Sequence, residues 1–174
     1  MDCLQALRGR RSIRRYKDDP VKENDIMTIL EAARMAPSAG NLQPCSFVVV
    51  RDAAVRAQIR AAAFNQELLD TAPVIIAVCV DPERSSYYGE RGMNYYCMLD
   101  GANATENILL AAYALGYGSC WMGGFNEKAV KEVINLPDNM RVVSLVPLGI
   151  ADENPVGPPR RELSEVVRWE QWQV

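Results

Sequence analysis

The apolar run VIIAVCV at residues 74–80 falls far short of the roughly 20 residues that cross a bilayer and is rich in β-branched residues. It reads as a buried strand, and the rest of the chain has to supply the layers that cover it. SFVVV at 46–50 and MRVVSLVPLGI at 140–150 read as further strands, and SCWM at 119–122 as a short one. Between them lie helical patterns. Asp2 and Gln5 form a capping-box pattern ahead of a short helix ending near Gly9. Ile26, Ile29, Leu30 and Ala33 recur at helical spacing over 23–35, until Pro37 ends the pattern. Asp52 caps the Ala-rich segment 53–63, and Asn126 caps 127–135. The segment 93–115 is the long central helix, with Ala102, Leu109, Ala112 and Leu115 on its expected buried face.

This alternation predicts a central sheet covered by helices on both faces, with strand direction left open. The 174 residues, 49% hydrophobic and 24% charged, suit a single folded domain over 1–174. Met1 is followed by Asp2 with no signal-peptide core, so a cytoplasmic protein without membrane contact is expected.

The chain contains no histidine. That excludes Ser-His-Asp and Cys-His nucleophilic catalysis, His-containing zinc sites and imidazole general-base chemistry. The five cysteines are widely spaced with no CxxC pair and read as reduced, mostly buried thiols.

Against a net charge of -3, the stretch RGRRSIRRYK at 8–17 carries five arginines and one lysine and no acid. Such density suits a phosphate, a nucleic acid, an acidic partner or a solvated surface. The acidic remainder of the chain argues against nucleic acid. If the stretch is extended, Arg10, Ser12 and Arg14 point one way and Arg11, Ile13 and Arg15 the other, and the first set can grip a small anion. Three further motifs follow. APSAGNLQP at 36–44 joins a helix to a strand and leaves Ser38, Asn41 and Gln43 as unassigned donors and acceptors. LGYGSCWMGGF at 115–125 follows a helix instead of a strand and has Trp121 where a dinucleotide fingerprint needs its third glycine, so it is not a Rossmann site. GPPRR at 157–161 holds two arginines behind two rigid prolines.

In this order, RRSIRRY, PSAGNLQP, LGYGSCWMGGF and VPLGIADENPVGPPRR resemble the nitroreductase family of flavin mononucleotide (FMN) enzymes over essentially the whole chain. The resemblance implies an α+β fold with a mainly antiparallel central sheet sandwiched by helices in three α/β/α layers, plus a C-terminal wrap. It implies that Arg10, Arg11, Ser12 and Arg14 hold the phosphate and polar side of FMN, with Arg14 near the N1/O2 edge of the ring. Asn65 matches the amide that reads the pyrimidine edge, Gly123 and Gly124 the backbone beside N5, and Arg160 or Arg161 the residue completing the phosphate site. Pro37, Ser38, Ala39 and Asn41 match a loop supplied by the other subunit, hence a homodimer with flavin sites at its interface. The implied activity is hydride transfer from NADH or NADPH through flavin to a nitroaromatic, quinone or similar small acceptor. The alternatives are a dehalogenase-like or flavin-consuming enzyme, one using a protein electron donor, or a non-catalytic flavin sensor. Cys45 stands where many relatives have an aromatic, which implies a differently shaped pocket wall.

Overall fold

A computed structural model of the chain describes residues 1–172. The first helix, α1 (Cys3–Gly9), opens on the reciprocal cap in which the Gln5 N–H donates to Asp2 and the Asp2 N–H to Gln5. After the basic segment, α2 (Glu23–Arg34) buries Ile26, Ile29 and Ala33. Then come β1 (Cys45–Val50), α3 (Ala53–Ala62) with its Asp52 cap, and β2 (Val74–Val80). A 3-10 segment (Pro82–Tyr88), the single turn α4 (Gly89–Arg91) and a π-helical turn (Gly92–Tyr96) lead into the long α5 (Cys97–Ala114). The chain continues through β3 (Gly118–Ser119), α6 (Glu127–Val133) capped by Asn126, β4 (Arg141–Gly149) and a short α7 (Leu163–Val166).

The four strands form one sheet in the order β1-β2-β4-β3, with every neighbouring pair antiparallel. All seven residues of β2 are buried, because its alternating side chains enter two different cores. Val74, Ile76 and Val78 pack with Ile26 and Ile29 of α2 and Ala104, Ile108 and Ala112 of α5. Ile75, Ala77 and Cys79 pack on the opposite face with Ile59 of α3 and Val130 of α6. Each such large side chain contributes about 1.5–3 kcal/mol of burial. The expected helix/sheet/helix arrangement is therefore present, with antiparallel strands. No helix among the described residues is long and apolar enough to cross a membrane.

Two sequence expectations need correction. The long helix starts at Cys97, four residues later than expected. Its buried stripe runs through Gly101, Ala104, Thr105, Ile108, Leu109 and Ala112, while Ala102 is only half-buried and Leu115 is exposed. The stripe shifts because α5 rides close to the sheet on Gly101, where a Cβ would stand 2.6 Å from Val143 Cγ2. The short strand covers only Gly118–Ser119. The chain leaves the ladder after Ser119 and returns for a single bridge from Met122 to Leu145, burying Cys120 and Met122 in the α3/α6 core. Cys79, Cys97 and Cys120 are buried free thiols, as expected, Cys45 is half-buried, and Cys3 is exposed.

Candidate functional site

The basic segment is a strip of extended chain laid into the end of the sheet. The Ile13 N–H donates to the Ser119 carbonyl at 2.9 Å, and Ser12 pairs in parallel with Ser119. On the other side Tyr16 pairs with Ala151, and the Lys17 N–H donates to the Ile150 carbonyl at 2.9 Å. Ile13 and Tyr16 are buried together with Ala72. The Tyr16 hydroxyl donates to the Ile13 carbonyl, and burial lifts its pKa far above the ordinary tyrosine value. Glu153 closes the strip: its carboxylate accepts from the backbone N–H groups of Arg14 and Arg15, and it pairs with the Arg15 guanidinium at 3.7 Å.

Once the strip is fixed, the arginines separate by task. Arg11 turns back, Nη1 donating to the carbonyls of Arg8 at 2.7 Å and Arg10 at 2.8 Å, so it serves the open C-terminal end of α1. Arg15 goes to Glu153. Arg10, Ser12 and Arg14 all act on the buried Cys120. Burial raises that thiol above its ordinary range, against the opposing pull of Arg14, Ser12 and Arg10, and it stays protonated. Arg10 Nε lies 4.0 Å from Glu106 Oε1, while its Nη1 is buried without a hydrogen-bond partner among the described residues. A desolvated, unpaired guanidinium nitrogen is costly and calls for an anion. The guanidinium of the exposed Arg14 makes no hydrogen bond or ion pair among the described residues.

A second ledge is built where α3 ends. Phe64 and Asn65 both take left-handed backbone angles, with φ of 59° and 55°. Asparagine tolerates this; a bulky aromatic does not, and such strain persists only where neighbours enforce it. The Asn65 N–H donates to the Arg60 carbonyl at 3.0 Å, and Arg60 Nη1 to Asn65 Oδ1 at 3.3 Å. Gln66 Nε2 donates to the Gly124 carbonyl at 2.6 Å, and the Asn126 N–H to the Ala62 carbonyl at 2.8 Å. The corner is thereby strapped to Gly123–Gly124. Neither glycine has a positive φ; a Cβ on Gly123 would meet nothing, and one on Gly124 only the tip of Gln66. The chain's own packing does not demand these glycines, whereas a flat ligand lying on the ledge would. Sequence reasoning missed Gln66, whose only signal was an amide next to Asn65. Because Phe64 is 66% exposed, Phe64→Gly is expected to raise stability by about 1 kcal/mol in urea unfolding, through relief of the left-handed strain. A loss of stability would show that the ring's contacts outweigh the backbone.

The loop of Pro37, Ser38, Ala39 and Asn41 lies elsewhere in the protomer. The Ala39 N–H donates to Asp100 Oδ1 at 3.0 Å and Asn103 Nδ2 to the Pro37 carbonyl at 3.4 Å, tying the loop to the N-terminal half of α5. The basic segment meets the other end of that helix, where Gly9, Arg10, Arg11, Ile13 and Tyr113 line one cavity. Asp100 and Tyr113 are about 20 Å apart along the helix axis. Arg10 reaches back toward Glu106, still about 9 Å along the axis from Asp100 and a third of a turn away. The cavity at the basic segment measures about 190 Å³, below the roughly 300–1,000 Å³ of ordinary ligand sites. A larger depression of about 620 Å³, lined by Glu127, Lys131, Glu132 and Arg141, holds none of the predicted residues.

Gly157 packs against Arg11, and from there the chain runs out as an exposed strap carrying Arg160 and Arg161. Arg161 Nη2 donates to the Glu165 carbonyl at 3.0 Å, whereas the Arg160 side chain has no partner among the described residues.

The model of the nitroreductase family matches residues 7–68 and 60–150. The chain belongs to the nitroreductase family. It is 35% identical over 197 residues to an NADH dehydrogenase of Thermus thermophilus, covering 97% of this chain and 96% of that one. It is 30% identical over 180 residues to an NADPH-flavin oxidoreductase of Vibrio harveyi, covering 99% of this chain and 75% of the relative. Among solved nitroreductase folds, the NADPH:FMN oxidoreductase of Vibrio harveyi complexed with NAD+ superposes with a TM-score of 0.89 at 29% identity. That match covers 98% of this chain and 77% of the other.

Proposed function

We propose that this nitroreductase-family chain is an FMN-dependent oxidoreductase, taking electrons from NADH or NADPH and passing them to a small acceptor such as a nitroaromatic or quinone. It works as a cytoplasmic homodimer of single-domain protomers, with two flavin sites at the interface. The observation that carries this reading is the buried Nη1 of Arg10, which has no partner among the described residues, in a cluster with Ser12 and Arg14 around Cys120. A phosphate supplies the missing acceptor, and the open glycine ledge suits the ring of the same cofactor. The small cavity and the remote loop support a site completed by a second copy.

In this reading Arg10 and Ser12 bind the phosphate, with Arg160, the freer of the two strap arginines, joining them. Arg11 contributes by bracing the Arg10 carbonyl. Arg14 faces the N1/O2 edge, Asn65 the pyrimidine edge, and the backbone of Gly123 and Gly124 the N5 side, with Gln66 fixing the Gly124 peptide. The second copy contributes Pro37, Ser38, Ala39 and Asn41. When bound, FMN would supply the hydride chemistry that links the nicotinamide to the acceptor in a ping-pong order. Beside the basic segment Tyr16 and Cys120 are both buried and held protonated, and in this reading protons come from solvent. Arg14 acts by charge, stabilising negative charge on the reduced ring. Arg14→Gln is expected to lower the two-electron potential by about 30 mV, the equivalent of a tenfold weaker hold on the reduced form. An unchanged potential removes Arg14 from that edge.

A further inference from the structure

We infer that Asp100 is the positioning residue for the loop that completes the flavin site, a reading that rests on the shared-site function proposed above. Along one edge of α5, residues 100, 103 and 107 stand at i, i+3 and i+7. Asp100 Oδ1 accepts from the Ala39 N–H at 3.0 Å, Asn103 Nδ2 donates to the Pro37 carbonyl at 3.4 Å, and Asn107 Nδ2 donates to the Ala32 carbonyl at 2.9 Å. The three fasten the last turn of α2 and residues 37–39 to the helix whose far end meets the basic segment. Tyr88 backs the same loop: a Cβ on Gly40 would stand 2.6 Å from its hydroxyl.

The identity of residue 100 argues for more than a structural peg. Asp100 is 5% exposed, and its Oδ2 is buried without a hydrogen-bond partner among the described residues. A carboxylate held this way costs the fold more than an asparagine of the same shape. The charged and titratable groups around it do not repay that cost. Arg34 of α2, Arg84 of the 3-10 segment and the Cys45 thiol of β1 line the same cavity of about 300 Å³, and Cys97 lies one turn earlier on α5. Arg34 is taken by Glu31, and Arg84 Nε donates to the Leu42 carbonyl. What the charge does provide is a charge-assisted hydrogen bond to the Ala39 N–H, roughly twice as strong as a neutral one. That bond fixes the loop in the conformation it presents to the second copy.

Burial raises the Asp100 pKa, with the Ala39 N–H pulling the other way. The folded protein therefore keeps this proton to higher pH than the unfolded chain does. Stability from this group is greatest below the ordinary carboxylate value, falls as pH rises through the raised one, and is level above it. Asp100→Asn removes the charge and keeps the acceptor, so it gains stability at neutral pH and not in acid.

The test follows amide hydrogen exchange at Ala39 and at Val78 in central β2, together with FMN affinity, in full-length wild type, Asp100→Ala and Asp100→Asn. Asp100→Ala is expected to speed Ala39 exchange and weaken FMN binding by about tenfold each, with Val78 still protected. Asp100→Asn is expected to restore FMN affinity to within about threefold. Equal acceleration at Ala39 and Val78, or no rescue by asparagine, overturns the positioning role. Ala39→Pro removes the same hydrogen bond from the loop side at a position with an extended neighbour, Ser38, and should give the same loss of affinity. Unaltered affinity there also overturns it. If wild type binds no FMN, the shared-site function falls, while Ala39 exchange still decides whether Asp100 holds the loop.

Discussion

Arg10→Gln is expected to weaken FMN binding by about a hundredfold while leaving the affinity for riboflavin, which lacks the phosphate, nearly unchanged. The buried Nη1 has no hydrogen-bond partner among the described residues and Nε approaches Glu106 only to 4.0 Å, which leaves the Arg10 charge poorly compensated inside the protomer. A phosphate accepts from guanidinium nitrogens in matched geometry, and hydrogen bonds to charged groups are each worth about 1.5–3 kcal/mol. Glutamine has neither the charge nor the fork. In the flavin-free protein the same substitution should leave the thermal midpoint unchanged or higher, because it removes an unsatisfied buried donor. Fluorescence titrations with FMN and riboflavin check the first part, and an unfolding scan the second. Equal losses for both flavins would move Arg10 away from the phosphate.

The second large effect is complementation. Arg10→Gln damages the basic-segment half of the site, and Pro37→Trp, at an exposed position of its own protomer, blocks the loop half. Each variant alone should be close to inactive at FMN concentrations well below the weakened dissociation constant. Unfolded together and refolded as a mixture, they form mixed dimers in which one site carries both lesions and the other carries none. Random pairing then restores about a quarter of the wild-type sites. If a site lay within one protomer, no mixture would recover activity. The separation of Asp100 from Tyr113 along α5 is the physical ground for expecting recovery.

Much of this architecture is legible in local chemistry. The Asp2, Asp52 and Asn126 caps all stand where their side chains predict, because a cap is decided within four residues. The buried strand at 74–80 is equally plain. The face of α5 was not, since the close approach at Gly101 depends on Val143, 42 positions away. The same limit applies to the site. Arginine density marks the basic segment, but only the backbone bonds to Ser119 and the position of Glu153 decide that Arg10 keeps a nitrogen unpaired among the described residues while Arg11 and Arg15 are occupied. Asp100 and Gln66 carry no motif of their own. Their importance comes from what they hold, Ala39 and Gly124, and those pairings exist only after the chain has folded.

The most direct measurement is an anaerobic absorbance spectrum of the purified protein mixed with FMN, recorded before and after NADH and then NADPH. The expected result is a protein-bound flavin band that bleaches with at least one of the two nicotinamides and returns when a quinone or nitroaromatic is added. A bound band that neither nicotinamide bleaches would contradict the proposed oxidoreductase, and the absence of any bound flavin would contradict the site itself.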